Sequence, residues 1–168
     1  MKNRPNVVLI GMPGCGKSTV GVVLAKRLGL GFLDTDLLIQ SAAGATLQQI
    51  VDAEGHDVLR DAEEQAVLSV DAAGAVIATG GSVVYSPAGM AHLREQGVLV
   101  YLEVDLPTLL ARVGDHSDRG LAKRPDQTFE ELFEERVALY RRYAEITVDG
   151  SGPTTEAVCQ RIEAALGG

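Results

Sequence analysis

The sequence predicts a three-layer α/β fold, a parallel sheet of five strands with helices on both faces. Three observations carry that expectation. Short β-branched runs alternate with longer stretches of helical periodicity. The first run passes through a glycine-rich turn directly into a helix, as parallel βαβ units do. The 168 residues, 46% of them apolar and 23% charged, suit a single domain with a real core.

Asn6 to Gly11 is a β-branched run ending in glycine, hence a buried strand. Lys17 to Gly29 reads as a helix stopped by Gly29. Gly31 to Asp36 is a short second strand with two carboxylates at its end. Thr46 and Gln49 form a capping box at the start of the next helix. His56 to about Ala72 gives a further amphipathic helix, and Ala75 to Ser82 a third strand running into glycines. Ser86 caps a helix that has Pro87 at its first position. Val98 to Val104 is the fourth strand, and Asp105 caps the helix after it. Gly114 to Gln127 is polar, aperiodic and long enough to serve as a lid. Thr128 and Glu131 form another capping box, followed by a last strand at ITVDG and a C-terminal helix.

The formal net charge of −8 argues against a broad nucleic-acid grip, which needs a basic face. A small anionic ligand remains compatible with it, because a few arginines can act locally. The N-terminus has too short an apolar run for a secretory leader, and no stretch approaches a membrane span. Cys15 and Cys159 lie far apart in no metal-ligand spacing. The expectation is a cytoplasmic monomer that works on small molecules, without nucleic-acid or membrane partners.

Chemistry begins at LIGMPGCGKSTVG, where Gly11, Gly16, Lys17 and Ser18 match G-x-x-x-x-G-K-[ST]. The glycines, Gly14 among them, let backbone N–H groups face phosphate oxygens, and the helix starting near Lys17 adds its positive dipole end. Lys17 is expected to reach the β- and γ-phosphates of ATP, and Ser18 to offer its hydroxyl to Mg²⁺. Thr19 and Cys15 complete the loop. A thiol at a helix N-terminus can be acidified, but Cys15 also reads as a small residue that simply fits.

Strand ends from different parts of the chain converge at one edge of such a sheet. Asp34 and Asp36 alternate there, so one faces Ser18 and the metal while the other faces a second ligand. A carboxylate beside an alcohol can orient the hydroxyl and take its proton. Asp36 is also placed to cap the following helix. Single arginines such as Arg60, Arg119 and Arg136 are more often solvated than functional. Arg119, inside the glycine-bearing 114–127 segment, is better placed to close on a transferring phosphate.

With GMPGCGKST, FLDTD, ATGGS and ERVALYRRYA in place, nearly the whole chain resembles the shikimate kinase family, in the nucleoside monophosphate kinase-like group of P-loop folds. The resemblance implies ATP-dependent phosphorylation of a hydroxyl on a small carboxylated metabolite, shikimate first. It implies that Asp34 supports Mg²⁺ and Asp36 binds the acceptor hydroxyl. Arg60, Gly80, Gly81 and Arg136 match acceptor-binding positions, with Arg136 on the carboxylate. Arg119 matches the arginine on the phosphate, Arg112 the one stacking on adenine, and Pro153 a residue near adenine.

Three motifs depart from the family's pattern, at four positions. Ser82 stands where a third glycine is usual, Gly120 where the lid has proline, and His56 and Leu59 where Glu and Phe are usual. Alternatives are therefore a kinase of another hydroxy or amino acid such as homoserine, a nucleotide kinase, or an ATP-binding regulatory module.

Overall fold

The computed structural model describes residues 5–114 and 123–167. Its sheet has five parallel strands: β1 (Asn6–Ile10), β2 (Gly31–Asp34), β3 (Ala75–Ala78), β4 (Gly97–Glu103) and β5 (Ile146–Asp149). They lie in the order β2-β3-β1-β4-β5. β1 is therefore central, paired with β3 on one side and β4 on the other. Both of its faces are covered, and every residue from Asn6 to Ile10 is buried. An apolar run without alternation is what a strand covered on both faces requires.

The helices are α1 (Lys17–Leu28), α2 (Thr35–Ala43), α3 (Leu47–Glu54), α4 (His56–Leu68), α5 (Pro87–Gln96), α6 (Leu106–Val113), α7 (Phe129–Tyr143) and α8 (Thr155–Leu166). α1 packs on α8, while α4 packs on α5. The expected caps form. Thr46 and Gln49 close one capping box and Thr128 and Glu131 another, while Ser86 and Asp105 cap α5 and α6. Each satisfies a backbone N–H that the helix itself leaves open.

Several boundaries differ from the sequence expectation. β2 stops at Asp34, two residues short of Asp36, and α2 begins at once and runs to Ala43. β3 ends at Ala78, after which Val83–Tyr85 makes one turn of 3₁₀ helix. α4 ends at Leu68, four residues short of Ala72. The core also divides. The main cluster surrounds the sheet, while Ile39, Ile50 and Leu59 of α2, α3 and α4 form a small apolar centre of their own.

Candidate active site

The loop after β1 turns into α1 through Gly16, whose φ of +97° is disfavoured for any residue with a side chain. This leaves the first amides of α1 unsatisfied within the helix, which suits an anion. Lys17 is buried, and its ammonium donates to the carbonyls of Gly11 at 2.7 Å and Met12 at 3.0 Å. The charge is held at the loop itself. Ser18 Oγ donates to Asp34 Oδ2 at 2.7 Å.

The two aspartates do not sit on opposite faces of a strand. Asp34 is the N-cap of α2, its Oδ1 accepting the Asp36 N–H at 2.9 Å, and Asp36 lies in the first turn. The cap is thus Asp34, not Asp36. One carboxylate serves two neighbours, which frees the Asp36 side chain to face the cleft.

Two clefts meet along the phosphate loop. A cleft of about 500 Å³ is lined by Gly14, Gly16, Lys17, Ser18 and Thr19 on one side, and by Asp36, Gly81 and Arg136 on the other. A second, of about 270 Å³, shares Gly14, Gly16 and Thr19 and adds Cys15, Arg112 and Pro153. Arg112 holds its guanidinium over the loop, donating to the carbonyls of Gly14 and Cys15 at 3.4 Å and of Gly150 at 3.2 Å. Residues 98 positions apart in sequence thereby meet.

The far wall of the larger cleft is built by close approach. A Cβ on Gly81 would lie 2.8 Å from Arg136 Nη1 and 2.9 Å from Pro13 Cδ. Only glycine lets the backbone pass between them. Tyr140 Oη donates to the Gly81 carbonyl and so fixes the wall from α7. Arg136 is 1% exposed.

Glu63 also lines this cleft, 6% exposed. Burial, and then the Asp36 charge, pushes its carboxyl up to about 8, against the pull of Arg136, Lys17 and Arg60. Asp36 is also raised above its ordinary value, by burial and by Asp34, with Lys17 opposing. Asp36 Oδ1, Glu63 Oε2, Arg60 Nε and Ser82 Oγ are buried side-chain atoms without a hydrogen-bond partner among the described residues. Such atoms are costly unless something else pairs with them, and three of these residues, Asp36, Glu63 and Ser82, line one cleft.

The family model for shikimate kinase matches residues 13–167. The chain belongs to the shikimate kinase family. A shikimate kinase of Rhodopseudomonas palustris is 41% identical over 167 residues, covering 98% of this chain and 81% of that one. One from Caldanaerobacter subterraneus is 36% identical over 160 residues, covering 94% and 93%. A solved shikimate kinase from Acinetobacter baumannii, in complex with shikimate, superposes with a TM-score of 0.86 at 31% identity, covering 96% of this chain and 92% of that one. These matches bear out the α/β P-loop fold and the kinase class.

Within the shikimate kinase frame, the geometry brings together Gly14, Cys15, Gly16, Lys17, Ser18, Thr19, Asp36, Gly81 and Arg136, and places Arg112 beside Pro153. Gly80 adjoins Asp36, while Arg60 is packed on Tyr85 and acts on the cleft-lining Glu63 through its charge. Arg119 and Gly120 lie outside the described residues, as does 115–122 of the expected lid. Leu59, where the shikimate kinase pattern has Phe, is fully buried in the small apolar centre, so one apolar group replaces another.

Sequence reasoning missed Glu63 and Tyr85. Glu63 did carry a signal: Leu59, Glu63 and Val67 recur every four residues on the buried stripe of α4. A charge on an apolar stripe marks a site or a network. Tyr85 carried none, because its neighbours come from α4 and α7.

Proposed function

We propose that the chain transfers the γ-phosphoryl group of ATP to a hydroxyl of shikimate, with Asp36 as the residue that orients that hydroxyl and takes its proton. The carrying observation is the buried, unpartnered Asp36 Oδ1 in a cleft whose other side is the phosphate loop. Its raised affinity for a proton suits a base working near neutral pH. Arg136, which lines the same cleft, would bind the acceptor's carboxylate, helped by Arg60. Gly80 and Gly81 shape the surface on which the ring lies.

ATP would lie along the phosphate loop, with its base toward Arg112 and Pro153. Its phosphates would face the amides of Gly14, Gly16 and Thr19 and the ammonium of Lys17. Arg119 is assigned to the transferring phosphate from the sequence pattern alone.

The donor set fits Mg²⁺. Ser18 Oγ and the Asp34 carboxylate are hard oxygen groups already in contact, and this ion prefers one or two such protein ligands beside phosphates and water. When bound, it would supply neutralisation of charge on the β- and γ-phosphate oxygens. The chain's own part is to aim the acceptor hydroxyl with Asp36 and hold the phosphates with Lys17 and the loop. The same reading has the chain act as a cytoplasmic monomer on small molecules, which the acidic net charge and a cleft built within one chain support. No helix among the described residues is long and apolar enough to cross a membrane.

The test is ADP release from ATP with Mg²⁺ against shikimate, homoserine, gluconate and nucleoside monophosphates. Stimulation by shikimate alone is expected. A response to another member with none to shikimate overturns the substrate, and release independent of any acceptor overturns the kinase.

A further inference from the structure

We infer that Tyr85 is a positioning residue that sets the two acceptor arginines side by side before the acceptor's carboxylate arrives. It rests on the reading that Arg60 and Arg136 bind that carboxylate. Tyr85 closes the 3₁₀ turn directly after the Gly80–Ser82 wall. The Arg60 Cζ lies 4.0 Å from the centroid of its ring, and the Arg136 Cζ lies 5.4 Å from it. One arginine comes from α4 and the other from α7, so the ring stands between two helices that do not adjoin in sequence.

The ring is itself anchored. Tyr85 Oη donates to Glu135 Oε1. Glu135 Oε2 accepts from the side chain of Gln127 at 3.1 Å, and Gln127 is buried. The phenol therefore cannot swing away without breaking a polar chain that runs through Glu135 of α7 to Gln127.

Two guanidiniums of one sign repel, and each long side chain resists being fixed in one rotamer. An aromatic face attracts both charges and offers them a flat support. Arg60 depends on it most, since its Nε is buried with no hydrogen-bond partner among the described residues and its Cζ lies 4.0 Å from the ring centroid. A carboxylate then finds both forks already oriented, and the cost of ordering them is not charged to binding.

The test is steady-state kinetics of Tyr85→Leu and Tyr85→Phe with ATP, using shikimate and its methyl ester, in which the carboxylate is masked. Tyr85→Leu is expected to raise the shikimate KM about tenfold or more while kcat and the ATP KM stay within about threefold. Tyr85→Phe keeps the ring but loses the Oη anchor, and should raise the shikimate KM by less than Tyr85→Leu does. With the ester, wild type already binds weakly and Tyr85→Leu should lose nothing further. An equal loss on shikimate and ester, an equal rise in both KM values, or no change on Tyr85→Leu overturns the inference. If Tyr85→Leu does not fold, Tyr85→Met carries the same expectations. A wild-type protein that ignores shikimate overturns the proposed function instead, and is seen before any variant is made.

Discussion

Glu63 and Asp36, on two different helices, meet across Gly80: a Cβ placed there would run into Glu63 Oε1 and lie 3.1 Å from Asp36 Oδ1. Two carboxyl groups this near, with burial added, cannot both ionise freely. Both carboxyls are pushed up, Glu63 to about 8 by burial and then by the Asp36 charge, and Asp36 by burial and then by Asp34.

That arrangement fixes a pH dependence. Glu63 holds its proton longer in the folded chain than in the unfolded one, where it titrates near 4.5. The folded state therefore binds more protons between those values, and stability falls as pH rises from about 4.5 through about 8. The slope from one such group is at most about 1.4 kcal/mol per pH unit. Glu63→Gln removes it. Thermal unfolding of the ligand-free protein across that window should show a steeper fall for wild type than for the variant. Parallel curves would contradict the assignment.

Asp36→Asn keeps the shape of the side chain and removes its charge. A fall in kcat of about 100-fold or more is expected, with the affinity for ATP within about twofold of wild type. Titration calorimetry with a non-hydrolysable ATP analogue, beside the kinetics, separates the two. Near-normal turnover rules out Asp36 as the base.

At Asp34 two roles can be pulled apart, because asparagine caps a helix as well as aspartate does. Asp34→Asn should leave stability within about 0.5 kcal/mol, since the bond to the Asp36 N–H can persist. Activity at low Mg²⁺ should drop and recover in part when Mg²⁺ is raised. A loss of stability without a change in Mg²⁺ dependence would leave Asp34 a cap only.

Ser82 is 4% exposed and its Oγ has no partner among the described residues, although the residue lines the larger cleft. A buried unpaired hydroxyl costs about 1–3 kcal/mol. Ser82→Ala should therefore raise the stability of the ligand-free protein by about 1 kcal/mol. If the acceptor supplies the missing partner, its KM rises as well, about three- to tenfold. Calorimetry and kinetics on one preparation test both signs, and a more stable variant with unchanged KM removes Ser82 from acceptor recognition.

Much of this site was legible because local rules carry it. The phosphate loop is a run of eight positions whose backbone needs are written in its glycines and in Lys17 and Ser18. The capping boxes at Thr46 and Thr128 are equally local. Where the reading went astray, a single hydrogen bond decided. The Asp34 carboxylate captures the Asp36 N–H, so a strand expected to run through Asp36 becomes the first turn of α2. What stayed hidden depends on elements distant in sequence. Tyr85 gains its meaning from Arg60 and Glu135, on α4 and α7, and no spacing predicts that meeting.

The small apolar centre of Ile39, Ile50 and Leu59 has a consequence for inheritance. α2, α3 and α4 carry Asp36, Arg60 and Glu63, yet they are joined by side chains of their own, and α4 reaches the cluster that surrounds β1 near its C-terminal end, through Val67. Substitutions there can remodel the acceptor wall without disturbing the strand that launches the phosphate loop. A descendant could trade one small alcohol for another by rewriting three helices, keeping its ancestral grip on the nucleotide.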